Sequence, residues 1–250
     1  MSESVAAASP LVPFALPTAT GRLVRRYQRF LVDVVLDGDN ERIVAHTANT
    51  GAMTGVAEPG ARVLLTRHAS PTRRIPWELE AVHVDGAWAN VNTGAANAFA
   101  ARAVERGHIP ALAGFARVRR EVAPSPRSRS RFDLCLEGAP HDEGGRCFVE
   151  VKSVTLKDRE RALFPDAVTE RGTKHLDALA RLTKSGRRAA MLYVVMRTGC
   201  RVFAPAAAID PVYARALARA ARAGVEIHCV TCAADERGLW FGGALAVEVW

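Results

Sequence analysis

The feature of this sequence that most limits its possible folds is a change of hydrophobic pattern near residue 94. Residues 21–93 contain five short strand-like segments separated by turn residues, with no helix of any length. Residues 94–250 alternate helical segments with apolar strands. We therefore predict two domains, an OB-like five-stranded barrel followed by an α/β domain.

Two segments of the predicted barrel have a distinctive pattern. Residues 21–36 alternate as one strand, and residues 77–92 predict a hairpin about Asp85-Gly86. Between the second and third strands, residues 49–60 are rich in Gly, Thr and Asn. Such a loop can offer backbone N–H groups to a phosphate or base, but the same residues also favour ordinary tight turns, which is the interpretation we prefer.

The ends and the apolar runs of the chain bear on its location. Residues 1–20 are rich in Ala, Pro and Ser, lack the basic start of a signal peptide and are expected to form a loose tail. No apolar run approaches the roughly 20 residues that cross a bilayer. We expect a cytoplasmic protein with no membrane partner. Its oligomeric state stays open, and a homodimer is one of the alternatives.

The charge of the chain favours a polyanionic partner. Its 250 residues include 34 Lys and Arg against 26 Asp and Glu, which gives a net charge of +8. The partner we favour is nucleic acid, with DNA first, and the alternative is a solvated basic surface. Arginine suits phosphate geometry better than lysine does. The candidate ligands taken from the arginine clusters are Arg25, Arg26, Arg129 and Arg131.

The five cysteines include one pair with metal-ligand or redox spacing, Cys229 and Cys232, next to His228. The sequence has no second pair of this kind and no distal histidine pair, so we interpret these cysteines as buried core residues.

The strand FVEVKSVTL, residues 148–156, carries two charges in an otherwise apolar segment. Because side chains alternate along a strand, Glu150 and Lys152 point to the same face. The preceding strand carries a lone acid, Asp133, between apolar neighbours. If these two strands pair antiparallel, Asp133 lies beside Glu150.

Two converging carboxylates with a neighbouring lysine suit phosphodiester hydrolysis. Asp133 and Glu150 would hold a hard divalent cation, Mg²⁺ or Mn²⁺. The cation would polarise the phosphate and activate a water, while Lys152 would orient that water or stabilise developing charge. The alternative is a structural ion pair, and the residues alone favour neither interpretation.

Asp133 followed by Glu150-Val151-Lys152 resembles the PD-(D/E)xK nuclease superfamily, although Phe132 stands where that superfamily has proline. The resemblance implies a restriction-endonuclease-like α/β domain. It also implies a further catalytic acid on the helix before the first strand of the site, and Glu105 lies in that helix.

Several long blocks resemble a narrower family, that of sugar fermentation stimulation protein A, over residues 23–246. The resemblance implies an OB-like domain in front of a nuclease-like domain, DNA binding, and a role in regulating sugar-utilisation genes. The blocks that carry it are RYQRFLVDV, NTGAMTGVAEPGARV, WELEAVHVDGAWANVNT, FVEVKSVTL and FPDAVTERGTKHLDAL.

The helix predicted from about residue 170 flanks the expected cleft. Its start carries Arg171 and Lys174, which are candidates for holding a nucleic-acid backbone, or are ordinary solvated charges. His175 is either a proton donor or a packing residue, and packing is the more common role. We interpret Asp166 as a turn residue rather than a third metal ligand.

Two functions remain open after the sequence. The first is a divalent-metal-dependent nuclease whose barrel grips the strand. The second is a DNA-binding regulator that keeps the nuclease fold as a scaffold. In either case Tyr27, Phe30 and Trp77 can stack on bases or simply form core.

Overall fold

The computed structural model describes residues 9–15, 17–70, 72–126, 128, 131–139 and 142–249. Arg129, one of the predicted phosphate ligands, and the first eight residues of the predicted tail lie outside this part of the chain.

Seven described strands precede the first helix. They are β1 Val12–Pro13, β2 Thr18–Tyr27, β3 Leu31–Leu36, β4 Arg42–His46, β5 Arg62–Arg67, β6 Trp77–Val84 and β7 Ala87–Asn90. Five of them pair in the order β4-β3-β2-β5-β6, and a parallel contact between β4 and β6 closes the sheet into a barrel. The barrel encloses an apolar core that includes Leu23, Val34 and Leu79. This confirms the predicted OB-like five-stranded barrel.

The first predicted strand is in fact a hairpin. The prediction of one strand over 21–36 is wrong, because Gln28 and Arg29 adopt φ values of 49° and 65° and reverse the chain between β2 and β3. Neither residue is a glycine, so the sequence carries no ordinary turn signal there. The second predicted hairpin is present, with Asp85 and Gly86 at φ 52° and 77° between β6 and β7.

The rest of the chain forms the α/β domain. Its elements are α1 Thr93–Glu105, a 3₁₀ turn Pro110–Leu112, β8 Arg117–Val122, β9 Phe132–Ala139, β10 Asp142–Val154, β11 Leu156–Asp158, β12 Arg161–Phe164, α2 Glu170–Lys184, β13 Arg188–Val195, β14 Val202–Pro205, α3 Pro211–Arg222, β15 Glu226–Asp235, β16 Gly238–Ala244 and β17 Ala246–Val247. The main sheet has the order β8-β9-β10-β13-β15, with β16 against β15 and with β10, β13 and β15 parallel. This confirms the predicted α/β domain.

The central strand β13 explains how the domain is layered. Its side chains alternate between two apolar clusters, with Leu192 facing α1 and Tyr193 facing α2 and α3. Because both faces are covered by helices, the strand is apolar at nearly every position, as is typical of parallel strands. Cys229 and Cys232 lie in opposite clusters, so this pair does not form one ligand set.

The prediction of a loose tail is wrong for its described residues, because residues 18–20 begin barrel strand β2 and the residues before them are ordered against the α/β domain. Strand β1 pairs antiparallel with β16, and Leu11 is buried in the cluster that faces α1. The apolar residues of this segment cover the edge of the sheet. They were not noticed in the sequence because the surrounding residues are rich in Ala, Pro and Ser. The two domains also share one continuous sheet, because β7 pairs with β15 at Trp88 and Ala234.

A second sheet was missed by the sequence analysis. It has the order β11-β12-β14-β17 and its strands are two to four residues long. Segments this short carry too few residues for hydrophobic alternation to be visible. None of the described helices combines the length and apolar composition needed to cross a membrane.

Candidate functional site

A cavity of about 410 Å³ lies where the barrel meets the α/β domain. The barrel supplies the loop 48–51, and α1 supplies its first turns. Strands β9 and β10 supply the charged wall. The polar side chains that line the cavity include Asn97, Asp133, Glu150, Lys152, Asp166 and Arg171.

The register of β9 and β10 places two acids together. The strands pair antiparallel with Val149 opposite Leu134, and the next position on each strand sets Glu150 beside Asp133. Both side chains line the cavity. Glu150 is only 3% exposed, so this acid is held in a largely dehydrated setting.

Asp133 is oriented by two hydrogen bonds. The backbone N–H of Val151 donates to Oδ2 at 2.7 Å, and the side-chain amide of Asn97 donates to Oδ1 at 2.8 Å. Burial, followed by the neighbouring charge of Glu150, raises the pKa of Asp133 above its ordinary value despite these bonds. A cation near Asp133 would relieve this unfavourable setting.

Glu150 is held through one of its two oxygens. Lys152 Nζ donates to Oε1 at 2.6 Å, and His175 Nδ1 donates to the same oxygen. Burial alone would raise the pKa of Glu150, but the hydrogen bond from His175 and the charge of Lys152 outweigh it and lower the pKa. The other oxygen, Oε2, is buried and has no hydrogen-bond partner among the described residues.

The sequence left the role of His175 open, and the structure places its ring against Glu150. Arg171 Nε donates to His175 Nε2 at 3.4 Å, while Nδ1 of the same ring donates to Glu150. These two contacts make Nδ1 the donor of the ring and Nε2 its acceptor. One feature of the sequence could have indicated this position: His175 lies one turn into α2, the helix that begins after the capping residue Thr169.

The barrel loop that closes the cavity is fixed by Arg26. Its guanidinium donates to the carbonyls of Arg29, Asn49 and Gly51 at 2.6, 2.9 and 2.8 Å, and to that of Ala52 at 3.3 Å. We predicted Arg26 as a nucleic-acid ligand. The structure shows that its guanidinium supports the loop through backbone carbonyls, and a contact with nucleic acid stays a prediction.

Asp166 fixes the same loop from the α/β domain. Its Oδ2 accepts a hydrogen bond from Met53 N at 3.1 Å. A Cβ added at Gly51 would lie 2.7 Å from that oxygen, so a larger residue there would displace the Asp166 carboxylate. Asp166 therefore does more than end a turn, because it joins the two domains at the cavity.

The remaining predicted residues lie at different distances from the cavity. Arg171 lines it, whereas Lys174 is exposed and lies 3.8 Å from Glu170. Glu105 is exposed in the last turn of α1, and the cavity is instead lined by Asn97 from the start of that helix. The structure therefore does not bring Glu105 to Asp133.

The predicted surface arginines and aromatics that the structure describes are outside the cavity. Arg25 pairs with Asp33 at 2.7 Å, and Arg131 donates to the carbonyl of Glu121 at 2.9 Å. Three aromatics were predicted as stacking residues or core. Phe30 is 43% exposed, Tyr27 lies under the Arg25 guanidinium, and Trp77 packs against the barrel core.

The donor set at Asp133 and Glu150 fits a hard divalent cation. The described residues contain no group of three or more His, Cys, Asp or Glu side chains that could hold a metal. Two carboxylates with retained waters are, however, a common magnesium site. The buried, unpartnered Oε2 of Glu150 is an acceptor that such a cation would satisfy.

Comparison with known proteins gives matches along both domains. Residues 24–91 match the family described as SfsA N-terminal OB domain, and residues 94–238 match the sugar fermentation stimulation protein RE domain. A sugar fermentation stimulation protein homolog from Paramagnetospirillum magneticum is 46% identical over 236 residues, which is 94% of this chain and 98% of that protein.

Two further matches cover most of the chain. A homolog with the same description from Citrifermentans bemidjiense is 49% identical over 211 residues, or 84% of this chain and 88% of that protein. The solved structure of SfsA from Pyrococcus furiosus in complex with Ca²⁺ superposes with a TM-score of 0.86 at 27% identity. That match covers 97% of this chain and all of the other.

Proposed function

This chain belongs to the sugar fermentation stimulation protein family, and from that premise we propose that it is a DNA-binding, divalent-metal-dependent nuclease that hydrolyses phosphodiester bonds. The observation that carries the proposal is the pairing of Asp133 with Glu150 at a cavity, with one oxygen of Glu150 buried and without a partner. An acid placed this way lowers stability unless a ligand completes it.

The cation we propose is Mg²⁺ or Mn²⁺. Support comes from the P. furiosus relative, which was solved in complex with Ca²⁺, another hard divalent cation. When bound, such a cation polarises the phosphate and lowers the pKa of a water. Asp133 and Glu150 would hold it.

The other residues of the site position these two ligands or meet the substrate. Asn97 and the Val151 N–H fix the Asp133 carboxylate, and His175 fixes Glu150. Lys152, with its ammonium 2.6 Å from Glu150, can turn toward a phosphate oxygen and stabilise charge that builds up there. Arg171 can hold a flanking phosphate from the cavity edge.

Binding of nucleic acid by the whole chain rests on charge and fold. The net charge is +8, and OB barrels are a common platform for nucleic acid. All five cysteines are free thiols, as is usual for proteins of the reducing cytoplasm. Nucleic acid, the proposed substrate, is found in that compartment.

A second function is favoured by one observation, the ion pair of Lys152 with Glu150. In this pair the charge of Lys152 neutralises the charge of Glu150 without a metal ion. Such an arrangement is expected of a non-catalytic DNA-binding regulator that retains the nuclease fold. The description of the relatives as stimulating sugar fermentation also agrees with regulation of sugar-utilisation genes.

Cleavage assays separate the two functions. Labelled single-stranded DNA, duplex DNA and RNA are incubated with Mg²⁺, Mn²⁺ or EDTA. We expect metal-dependent cutting by the wild type, and a loss on the order of 10³-fold in Glu150→Gln and Lys152→Ala. Lys184→Ala, at the far end of α2, is the matched control and should cut normally. Binding by the wild type without cutting of any substrate would leave only the regulator.

A further inference from the structure

A second groove, of about 750 Å³, lies beside the candidate active site in the α/β domain. It runs between the short sheet formed by β11, β12, β14 and β17 and the outer face of α3. None of the residues assigned to catalysis lines it.

The floor of this groove is apolar because of strand alternation. In β12, Ala162 and Phe164 face the core, so Leu163 points to the other side of the sheet. Its cross-strand partners Leu156 and Ala204 share that side and line the groove with it. The segment 206–209 continues this apolar surface.

The rim of the groove is strongly basic. Helix α3 buries Tyr213, Leu217 and Ala220 in the core and turns its arginines outward. The rim arginines are Arg161, Arg215, Arg219 and Arg222, and one acid, Asp158, lies among them.

Two of these arginines are not neutralised by any residue that the structure describes. Arg161 pairs with Glu248, and Arg219 lies 3.8 Å from Asp177. Within the described part of the chain, neither Arg215 nor Arg222 forms an ion pair or a side-chain hydrogen bond. Like charges one or two turns apart on a helix repel one another, so an anion across this rim would stabilise α3.

The groove adjoins the active-site cavity. Leu156 and Leu163 line both, so the β11–β12 ribbon is the wall they share. A chain that leaves Lys152 along β10 and crosses this ribbon reaches the apolar floor. An apolar floor with arginines at the edge fits a single strand, whose bases need a dry surface and whose phosphates need cations.

We propose that this groove binds the single-stranded nucleic acid that extends from the active site, with Arg215 and Arg222 on its phosphates and the Leu156–Leu163–Ala204 surface under its bases. The inference rests on the proposed function for the identity of the polymer. It adds that the footprint of the nucleic acid extends beyond the cleavage site.

The test measures binding without cutting. Fluorescence anisotropy in EDTA follows thymidine oligonucleotides of about four and about twelve nucleotides, a range typical of single-strand sites. In Arg215→Gln/Arg222→Gln, the Kd of the longer oligonucleotide should rise on the order of tenfold, and its salt slope should fall by about 1.4, or about 0.7 for each lost phosphate contact. The shorter one should bind as it does to wild type. Ala214→Glu, which adds an acid inside the groove, should give the same selective loss.

The matched control is Arg117→Gln/Arg120→Gln, which removes two exposed charges from β8, outside the groove. If this control loses as much affinity for the longer oligonucleotide, the loss reflects net charge alone, and the proposed role of the groove is overturned. A groove variant that binds like wild type, while wild type cuts DNA, would overturn the groove alone. If wild type binds neither oligonucleotide, the nucleic-acid function itself fails. A change in sedimentation without a change in DNA binding would assign the groove to a second copy of the chain and overturn the proposal.

Discussion

Two buried glutamates in this chain look alike in sequence and differ in their surroundings. Glu78 on β6 and Glu150 on β10 are 6% and 3% exposed, and each has a second charged residue two positions later. Both oxygens of Glu78 are occupied, with His46 at 3.1 Å from Oε1 and Arg73 donating to Oε2. Glu150 has both of its partners on one oxygen, and no described residue bonds to the other.

The neighbouring acids, Glu80 and Asp133, are both hydrogen-bonded through each oxygen and differ only in their surroundings. Glu80, two positions after Glu78, accepts hydrogen bonds from Thr66 and Asn92, one on each oxygen. Asp133, beside Glu150, also has both oxygens occupied, but it borders a cavity and a second acid. A buried carboxylate is therefore no mark of a site by itself. What distinguishes the candidate site is a buried carboxylate oxygen without a hydrogen-bond partner, next to a second carboxylate and a cavity.

The largest effect that would sharpen this comparison is stabilisation by a divalent cation. At about 100 times its Kd, Mn²⁺ or Ca²⁺ should stabilise the wild type by about 2.7 kcal/mol, because it binds the folded state alone. Glu150→Gln should lose this gain, and Glu78→Gln should keep it. Thermal unfolding with and without the cation is the measurement, and an equal gain in all three proteins would remove the distinction between the two glutamates.

The next effect concerns Glu78 itself. Glu78→Gln should lower the free energy of unfolding by about 1–2 kcal/mol, since it leaves the half-buried Arg73 and His46 without their anion. Denaturant titration measures this, and cleavage by the folded protein should stay within about threefold of wild type. A variant that unfolds like wild type but no longer cuts would make Glu78 part of the site.

The comparison between satisfied and free groups extends to two neighbouring arginines. Arg26→Ala should cost about 1–2 kcal/mol, because several backbone carbonyls of the loop lose their donor. Arg25→Ala should lower the free energy of unfolding by much less than Arg26→Ala does, because its pair with Asp33 is exposed. Urea unfolding of both variants checks the order. Equal losses would mean that the Arg26 contacts add nothing beyond a surface ion pair.

The smallest effects are in the pH dependence of stability, and they should have opposite signs within the site. The raised pKa of Asp133 means that the folded protein holds its proton more tightly than the unfolded chain, so this group lowers stability as pH rises through the raised pKa. The lowered pKa of Glu150 makes its contribution present above the ordinary value of 4.5 and lost as pH falls through the lowered one.

Metal-free unfolding between pH 3 and 8 measures these two contributions. Relative to wild type, Asp133→Asn should gain stability as pH rises, and Glu150→Gln should lose it. Curves with the same sign would contradict the charge arrangement described for the site.

Much of the fold was predictable because it depends on local patterns. The barrel, all three long helices and the apolar strands of the main sheet follow from alternation, caps and turn residues. The hairpin at Gln28-Arg29 was missed because neither residue favours a positive φ. The short strands β11, β12, β14 and β17 escaped because two to four residues hold no readable period.

The candidate site was predictable in part. Asp133, Glu150 and Lys152 stand out because charge is unusual in apolar strands. The partners of these residues do not stand out, since Asn97 lies 36 positions from Asp133 and His175 lies 25 positions from Glu150. Glu105 was chosen for being an acid on the right helix, but it lies in the last turn of that helix, far along it from Asn97.

The sequence alone determined two domains, their classes and the strand pair that carries the acids, because hydrophobic period and buried charge are written in neighbouring residues. Only the tertiary structure decided which charges are already satisfied. Arg26 and Asp166 fix a barrel loop over the cavity, and α2 brings His175 to Glu150. These contacts join residues that are far apart in the sequence. Only they show that Oε2 of Glu150 has no hydrogen-bond partner among the described residues.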